Sequence, residues 1–146
     1  MSTKRNILVV DDEQTMRDFL STSLRSRYQV HTASNGTEAM AVLKAEKIDL
    51  VLSDMQMPGR GGMELLGDIR TYLDYQPVVV MMTAFGSIEL ALDATRRGAQ
   101  DFLTKPFGLD QLDHAIVRAF EFATLKNENQ SLRSNLAVRS EHKGLL

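Results

Sequence analysis

Five short apolar runs alternate with longer segments of helical periodicity, and this alternation constrains the chain more than any other feature of its sequence. The runs are Asn6–Val10, Gln29–Ala33, Asp49–Ser53, Val78–Thr83 and Asp101–Thr104. Their length and their Val, Ile and Leu content predict strands buried on both faces. In the segments around them apolar residues recur at helical spacing: Met16, Phe19, Leu20 and Leu24; Leu65, Leu66, Ile69 and Leu73; Ile88, Ala91, Leu92 and Thr95; Leu109, Leu112, Ile116 and Phe120. Helix-end signals agree. Asn35 with Glu38 makes a capping box with Asn in place of Ser or Thr, and Ser87 is a cap for the fourth helix. Arg96, Arg97 and Gly98 make a basic last turn followed by a C′ glycine. Strict alternation of strand and helix predicts a doubly wound α/β domain, a mostly parallel sheet with helices on both faces and right-handed crossovers.

Composition removes several classes of function. The 146 residues suit one domain. No cysteine is present, which excludes disulfides, Cys-ligated zinc, iron–sulfur clusters and thiol catalysis. No apolar run approaches the roughly 18 residues of a membrane-spanning helix. The polar start M-S-T-K-R-N, followed only by Ile7–Val10, does not make a signal peptide, so a cytoplasmic location is expected. The net charge of −2 argues against direct nucleic-acid binding, which needs a basic face. Thirteen basic and seventeen acidic residues precede Thr124, so the acidic excess lies in the compact part and points to a cation site.

The polar residues at the strand ends locate that site. The first run ends in Asp11, Asp12 and Glu13, the third in Ser53 and Asp54, the fourth in Thr83, and the fifth in Thr104 and Lys105. Ligands of open α/β sheets bind outside the carboxyl ends of the strands, where the strand order reverses. With the first and third strands flanking that point, Asp11, Asp12 and Asp54 converge and Thr83 and Lys105 close the rim. A lone Asp after a strand is more often a cap or a turn residue. Acidic groups at two strand ends, with Thr and Lys at two others, are harder to explain that way. Clustered carboxylates repel one another and favour a hard divalent ion, Mg²⁺ or Mn²⁺. Carboxylates around such an ion, with a lysine and a hydroxyl opposite, are the parts that phosphoryl transfer needs, and a carboxylate can itself be the nucleophile.

Four segments carry a resemblance. V-V-D-D-E at 9–13, S-D-M-Q-M-P-G at 53–59, M-T-A at 82–84 and G-A-Q-D-F-L-T-K-P-F at 98–107 resemble, in order and spacing, the receiver domain of bacterial two-component response regulators. The stretch from Thr83 to Phe107 is most similar to receivers of sigma-54-dependent, NtrC-type transcriptional activators. The resemblance implies a flavodoxin-like (βα)5 fold with strand order 2-1-3-4-5. It implies that Asp54 accepts a phosphoryl group from a sensor histidine kinase. Asp12, Asp54 and the Gln56 backbone carbonyl would ligate Mg²⁺, with Asp11 acting through water. Lys105 would pair with the phosphoryl oxygens, Thr83 would move inward to them, and Phe102 would follow into the vacated space. It also implies a cis Lys105–Pro106 bond, and AAA+ and DNA-binding domains in a longer natural protein.

Two departures stand out. Phe102 replaces the tyrosine of many receivers, so the switch there is packing alone. Gly61 stands where receivers usually carry Asp, which removes a side-chain cap from the third helix. The expected receiver spans 1–123 and a helical linker spans 124–146. In the linker region Phe122, Leu125, Asn129, Leu132 and Leu136 follow a heptad-like spacing that predicts a short coiled coil and a homodimer. The rival reading is an aspartate-based phosphatase of the haloacid dehalogenase type. Its general acid would stand two residues after the nucleophile, where this chain has Gln56.

Overall fold

A computed structural model describes residues 4–57, 59–84 and 88–123. The five strands form one parallel sheet in the order β2-β1-β3-β4-β5, as the resemblance implies. They are β1 Asn6–Val10, β2 Gln29–Ala33, β3 Leu50–Asp54, β4 Val78–Thr83 and β5 Asp101–Thr104. Between them run α1 Gln14–Leu24, α2 Gly36–Ala45, α3 Gly62–Tyr72 and α4 Ile88–Arg96. A fifth helix, α5, opens at residue 109 and is described through residue 123. β3 lies one residue later than the apolar pattern predicts. Asp54 pairs with Met82 in the ladder, and the next amide, Met55 N–H, donates to the Met82 carbonyl at 2.9 Å.

Alternation along the strands divides the core. Ile7, Val9, Leu50, Leu52, Val80 and Met82 pack against α1 and α5 through Leu20, Leu24, Leu112 and Ile116. Leu8, Val10, Val51, Val79 and Met81 turn the other way, toward α2, α3 and Ala94 of α4. The predicted helix stripes hold in part. Leu65, Leu66 and Ile69 of α3 and Leu73, which caps its end, are all buried. Phe19, Leu92 and Leu109 are exposed at 42%, 49% and 50%, and Thr95 is exposed too. The buried line of α1 runs through Leu20 and Leu24, and Phe19 stands about 100° round the helix from Leu20. On α4 the core residue is Ala94, and Leu92, two positions away, falls on the opposite side. Ser87 and the side chains of Ile88 and Ala91 lie outside the described residues.

The helix ends also differ in detail from the sequence pattern. Asn35 Oδ1 accepts Glu38 N–H at 2.8 Å, as expected of a cap. Glu38 returns to Ser34, taking its N–H at 3.2 Å and its hydroxyl at 2.7 Å, because Ser34 offers two donors. Gly61 has no side chain to cap α3, but Glu64 Oε2 accepts the Gly61 N–H at 2.6 Å, so half of a capping box remains. Gly62 starts α3 directly against β3. A Cβ there would lie under 3 Å from the Asp54 carbonyl oxygen and Met55 Cα. Gly98, at φ 113°, turns the chain from α4 into β5. Arg70 at the end of α3 donates to the Gly98 carbonyl at 2.5 Å and to Gln76 Oε1 at 2.6 Å. A Cβ on Gly98 would meet Arg70 Nε at 2.7 Å. Burial lowers the Arg70 pKa from its ordinary value.

Gly67 gives a simple check of this packing. It is exposed on α3, with nothing within 4 Å of where a Cβ would lie. Glycine inside a helix costs about 1 kcal/mol relative to alanine. Gly67→Ala is expected to raise the melting temperature by about 4 °C in calorimetry. An unchanged or lower value would contradict the open environment described for this position.

Candidate functional site

The strand order places the carboxyl ends of β1 and β3 side by side, at the point where the sheet changes its winding direction. Asp11 extends β1, its N–H donating to the Ala33 carbonyl at 3.1 Å. The residue is fully buried. Its Oδ1 accepts Glu13 N–H at 2.9 Å, which fixes the loop entering α1. Asp12 is exposed beside it. Asp54 ends β3 and is 8% exposed, with its Oδ1 accepting Gln56 N–H at 3.2 Å. Asp11, Asp12 and Asp54 each offer a carboxylate oxygen, and these oxygens lie within 4.8 Å of one another.

Lys105 binds two of the three. It follows β5, and its N–H donates to the Thr83 carbonyl at 2.8 Å. Its Nζ donates to Asp11 Oδ2 at 3.0 Å and to Asp54 Oδ2 at 3.2 Å. The Lys105–Pro106 bond is cis. Thr83 is buried at the end of β4, its hydroxyl 3.4 Å from the Ala84 carbonyl. The register pairs Met81 with Phe102 and Thr83 with Thr104. Thr83 therefore leaves the sheet on the Met81 face, and Phe102, half-buried, packs on that same face. The predicted site residues thus fall into two groups. Asp11, Asp12, Asp54 and Lys105 meet at the strand ends. Thr83 and Phe102 share the face covered by α3 and α4. Gln56 is exposed, with its amide directed to Asp54. Phe122 of α5 is 50% exposed, and Leu125, Asn129, Leu132 and Leu136 lie outside the described residues.

Three supporting residues were not legible as such. Arg17 Nη1 donates to the Asp11 carbonyl at 2.6 Å, and Ser53 Oγ donates to the Asp54 carbonyl at 3.0 Å. Gly62 lets α3 approach that same carbonyl. Arg17 and Ser53 serve main-chain oxygens, which every residue has, so residue type gives little signal. Gly62 works through a missing atom, which gives no side-chain signal.

A family model described as the response regulator receiver domain matches residues 7–117. The regulatory protein AtoC of Escherichia coli is 36% identical over 139 residues, which cover 94% of this chain and 30% of that protein. The C4-dicarboxylate transport transcriptional regulatory protein DctD of Rhizobium meliloti is 34% identical over 142 residues, covering 97% of this chain and 31% of its own. The chain therefore spans under a third of the length of these curated relatives. Among solved structures, NtrX from Brucella abortus matches with a TM-score of 0.83 at 36% identity, over 90% of this chain and 30% of that one. A response regulator receiver domain protein from Clostridium thermocellum matches with a TM-score of 0.75 at 32% identity, over 83% of this chain and 98% of its own.

The electrostatics of the cluster shift the protonation of its members. Burial raises the Asp54 carboxyl above its ordinary value; the Gln56 amide and Lys105 offset this in part, and Asp11 adds to it. For Lys105, burial alone pulls the ammonium down, but its contacts with Asp11 and Asp54 outweigh burial and the pKa is raised. A raised carboxyl binds protons more readily in the folded chain than in the unfolded one. Stability therefore falls as pH rises from the ordinary carboxylate value, about 4, through the raised folded one. The Lys105 contribution is complete below the ordinary lysine value and is lost as pH rises through its raised folded value. Asp54→Asn is expected to raise the metal-free melting temperature by a few degrees at pH 7 and to flatten the decline above about pH 4. A lower melting temperature for the variant at pH 7 would reverse the sign assigned to Asp54.

Proposed function

Because this chain belongs to the response regulator receiver domain family, we propose that it is a phosphorylation-controlled switch with Asp54 as its phosphoryl acceptor. The observation that carries this reading is the convergence of Asp11, Asp12 and Asp54 within 4.8 Å, with Lys105 joined to two of them. The donors are all oxygen and mostly anionic, a set that fits Mg²⁺, or Mn²⁺ in its place. Asp12, Asp54 and the Gln56 backbone carbonyl would hold the ion, and Asp11 would act on it through water. When bound, the ion neutralises charge on the carboxylates and on the phosphoryl oxygens.

Asp54 acts as a carboxylate. One of its oxygens attacks the phosphorus of a phosphohistidine on a sensor histidine kinase. A P–O bond forms while the P–N bond breaks, and its electron pair goes to the imidazole nitrogen, which takes up a proton. Lys105 exchanges Asp54 Oδ2 for a phosphoryl oxygen. The added group brings about two negative charges, and Thr83 answers them by turning its hydroxyl from the Ala84 carbonyl to the phosphoryl group. Phe102, on the same face, moves into the space that Thr83 leaves. Asp54 and its neighbours support phosphorylation and dephosphorylation of this chain alone, with no separate substrate turned over. The phosphatase alternative has no support from the family match, and Gln56 supplies no general acid in the position it needs.

The transcriptional regulators among the relatives support a reading of the output. We read the chain as the receiver and linker of a longer cytoplasmic transcription regulator, with AAA+ and DNA-binding domains beyond the linker and residues 1–123 as the receiver. The linker, 124–146, carries the heptad-like residues Leu125, Asn129, Leu132 and Leu136, and with Phe122 they form a homodimer seam.

Two experiments test these readings. Incubation with acetyl phosphate and Mg²⁺ is expected to label the parent at one site, with a label lost in alkali as an acyl phosphate is. Asp54→Asn should take no label, and stoichiometric labelling of that variant would move the acceptor elsewhere. Replacing Leu125 and Leu132 with Lys is expected to give a monomer by analytical ultracentrifugation that still accepts phosphate at Asp54. A variant that remains dimeric would remove the seam.

A further inference from the structure

Arg17 stands one helical turn beyond Glu13, whose carbonyl accepts the Arg17 N–H at 3.1 Å. Its side chain is half-buried and folds back along the helix, so that Nη1 donates to the Asp11 carbonyl at 2.6 Å. That carbonyl belongs to the peptide joining the two acidic residues, and its direction sets where Asp12 leaves the chain. Asp11 is fixed by other means: its N–H by Ala33, its Oδ1 by Glu13 and its Oδ2 by Lys105. The Arg17 bond acts beyond all of these, on the side facing Asp12. The guanidinium charge also reaches Glu38 in the first turn of α2, as a minor influence. Two Ser34 hydrogen bonds hold the Glu38 carboxyl below its ordinary value, and Arg17 contributes after them.

We propose that Arg17 is a positioning residue for the divalent cation, holding the Asp11–Asp12 peptide so that the Asp12 carboxylate stays in the ligand set. This inference rests on the reading that the cluster takes Mg²⁺. Two physical effects of Arg17 on the ion have opposite signs. As a nearby positive charge it repels Mg²⁺, and its removal would tighten binding. As a hydrogen-bond donor it orders a ligand, and its removal weakens binding, as loss of an outer-shell partner does. The direction of the change therefore separates positioning from bulk charge.

Mg²⁺ binding is measured by calorimetric titration at fixed ionic strength without phosphodonor, with thermal melts of the metal-free proteins alongside. Arg17→Met is expected to bind Mg²⁺ about tenfold more weakly than the parent, with its metal-free melting temperature nearly unchanged. Arg17→Lys, which keeps the charge and a donor, is expected to recover part of the lost affinity. Equal or tighter binding by Arg17→Met would overturn the proposal, as would Arg17→Lys binding no better than Arg17→Met. A large drop in the metal-free melting temperature of Arg17→Met would make the residue structural and would also overturn it. Failure of the parent itself to bind Mg²⁺ would remove the cation site first and this inference with it.

Discussion

The contact of one ammonium with two carboxylates, Lys105 with Asp11 and Asp54, is the interaction around which the rest of the strand-end geometry is arranged. Its three side chains come from the residue after β1, the end of β3 and the segment after β5, so the sheet from β1 to β5 must be in register for them to meet. Asp11 and Asp54 are both nearly removed from water. Burying like charges this close is unfavourable without a partner, and Lys105 supplies one. Burial still raises the Asp54 carboxyl, which Lys105 offsets only in part, and with Asp12 the cluster holds three carboxylates against one ammonium. A site left with excess negative charge is suited to receive a cation.

The backbone around the cluster is held as firmly as its side chains. Gln56 N–H and Glu13 N–H each grip one carboxylate oxygen. Ser53 and Gly62 meet at the Asp54 carbonyl, one by donating to it and the other by leaving room for it. Arg17 holds the Asp11 carbonyl. The residue that departs most from this enclosure is Asp12, which is exposed. Chemistry at the cluster thus depends on main-chain groups whose positions come from the ends of β1 and β3 and the starts of α1 and α3.

Much of this was legible in the sequence, for a physical reason. Strands buried on both faces are apolar throughout, so their ends are marked by the first polar residue, and in a parallel sheet those ends gather on one side. Asp11, Asp54, Thr83 and Lys105 were visible on that ground. Helix faces were less legible, because a surface tolerates single apolar residues. Phe19, Leu92 and Leu109 fitted an apolar stripe by spacing and are nonetheless exposed. Glu38 was paired with the wrong donor by one residue, since Asn35 and Ser34 both precede α2 and only the fold decides which amide turns toward it. Arg17 left no signal because its partner is a carbonyl, and Gly62 left none because its role is steric.

The tie between Arg70 and Gly98 has a mechanical consequence for α4. This helix has nine residues and is about 13 Å long. Its C-terminal end is fixed three ways: Arg70 grips the Gly98 carbonyl, the Ala99 N–H returns to Ala94, and Gln100 N–H joins the Val79 carbonyl of β4. The end at Ile88 follows the strand that carries Thr83. With the Gly98 end tied in this way, a displacement at the other end would tilt the helix about Gly98. A tilt of about 10° moves the Ile88 end by about 2 Å while leaving β5 in register, given the 1.5 Å rise per residue. The arginine–glycine joint would then be the fulcrum, and the reach of the far end would be set by the number of residues between them.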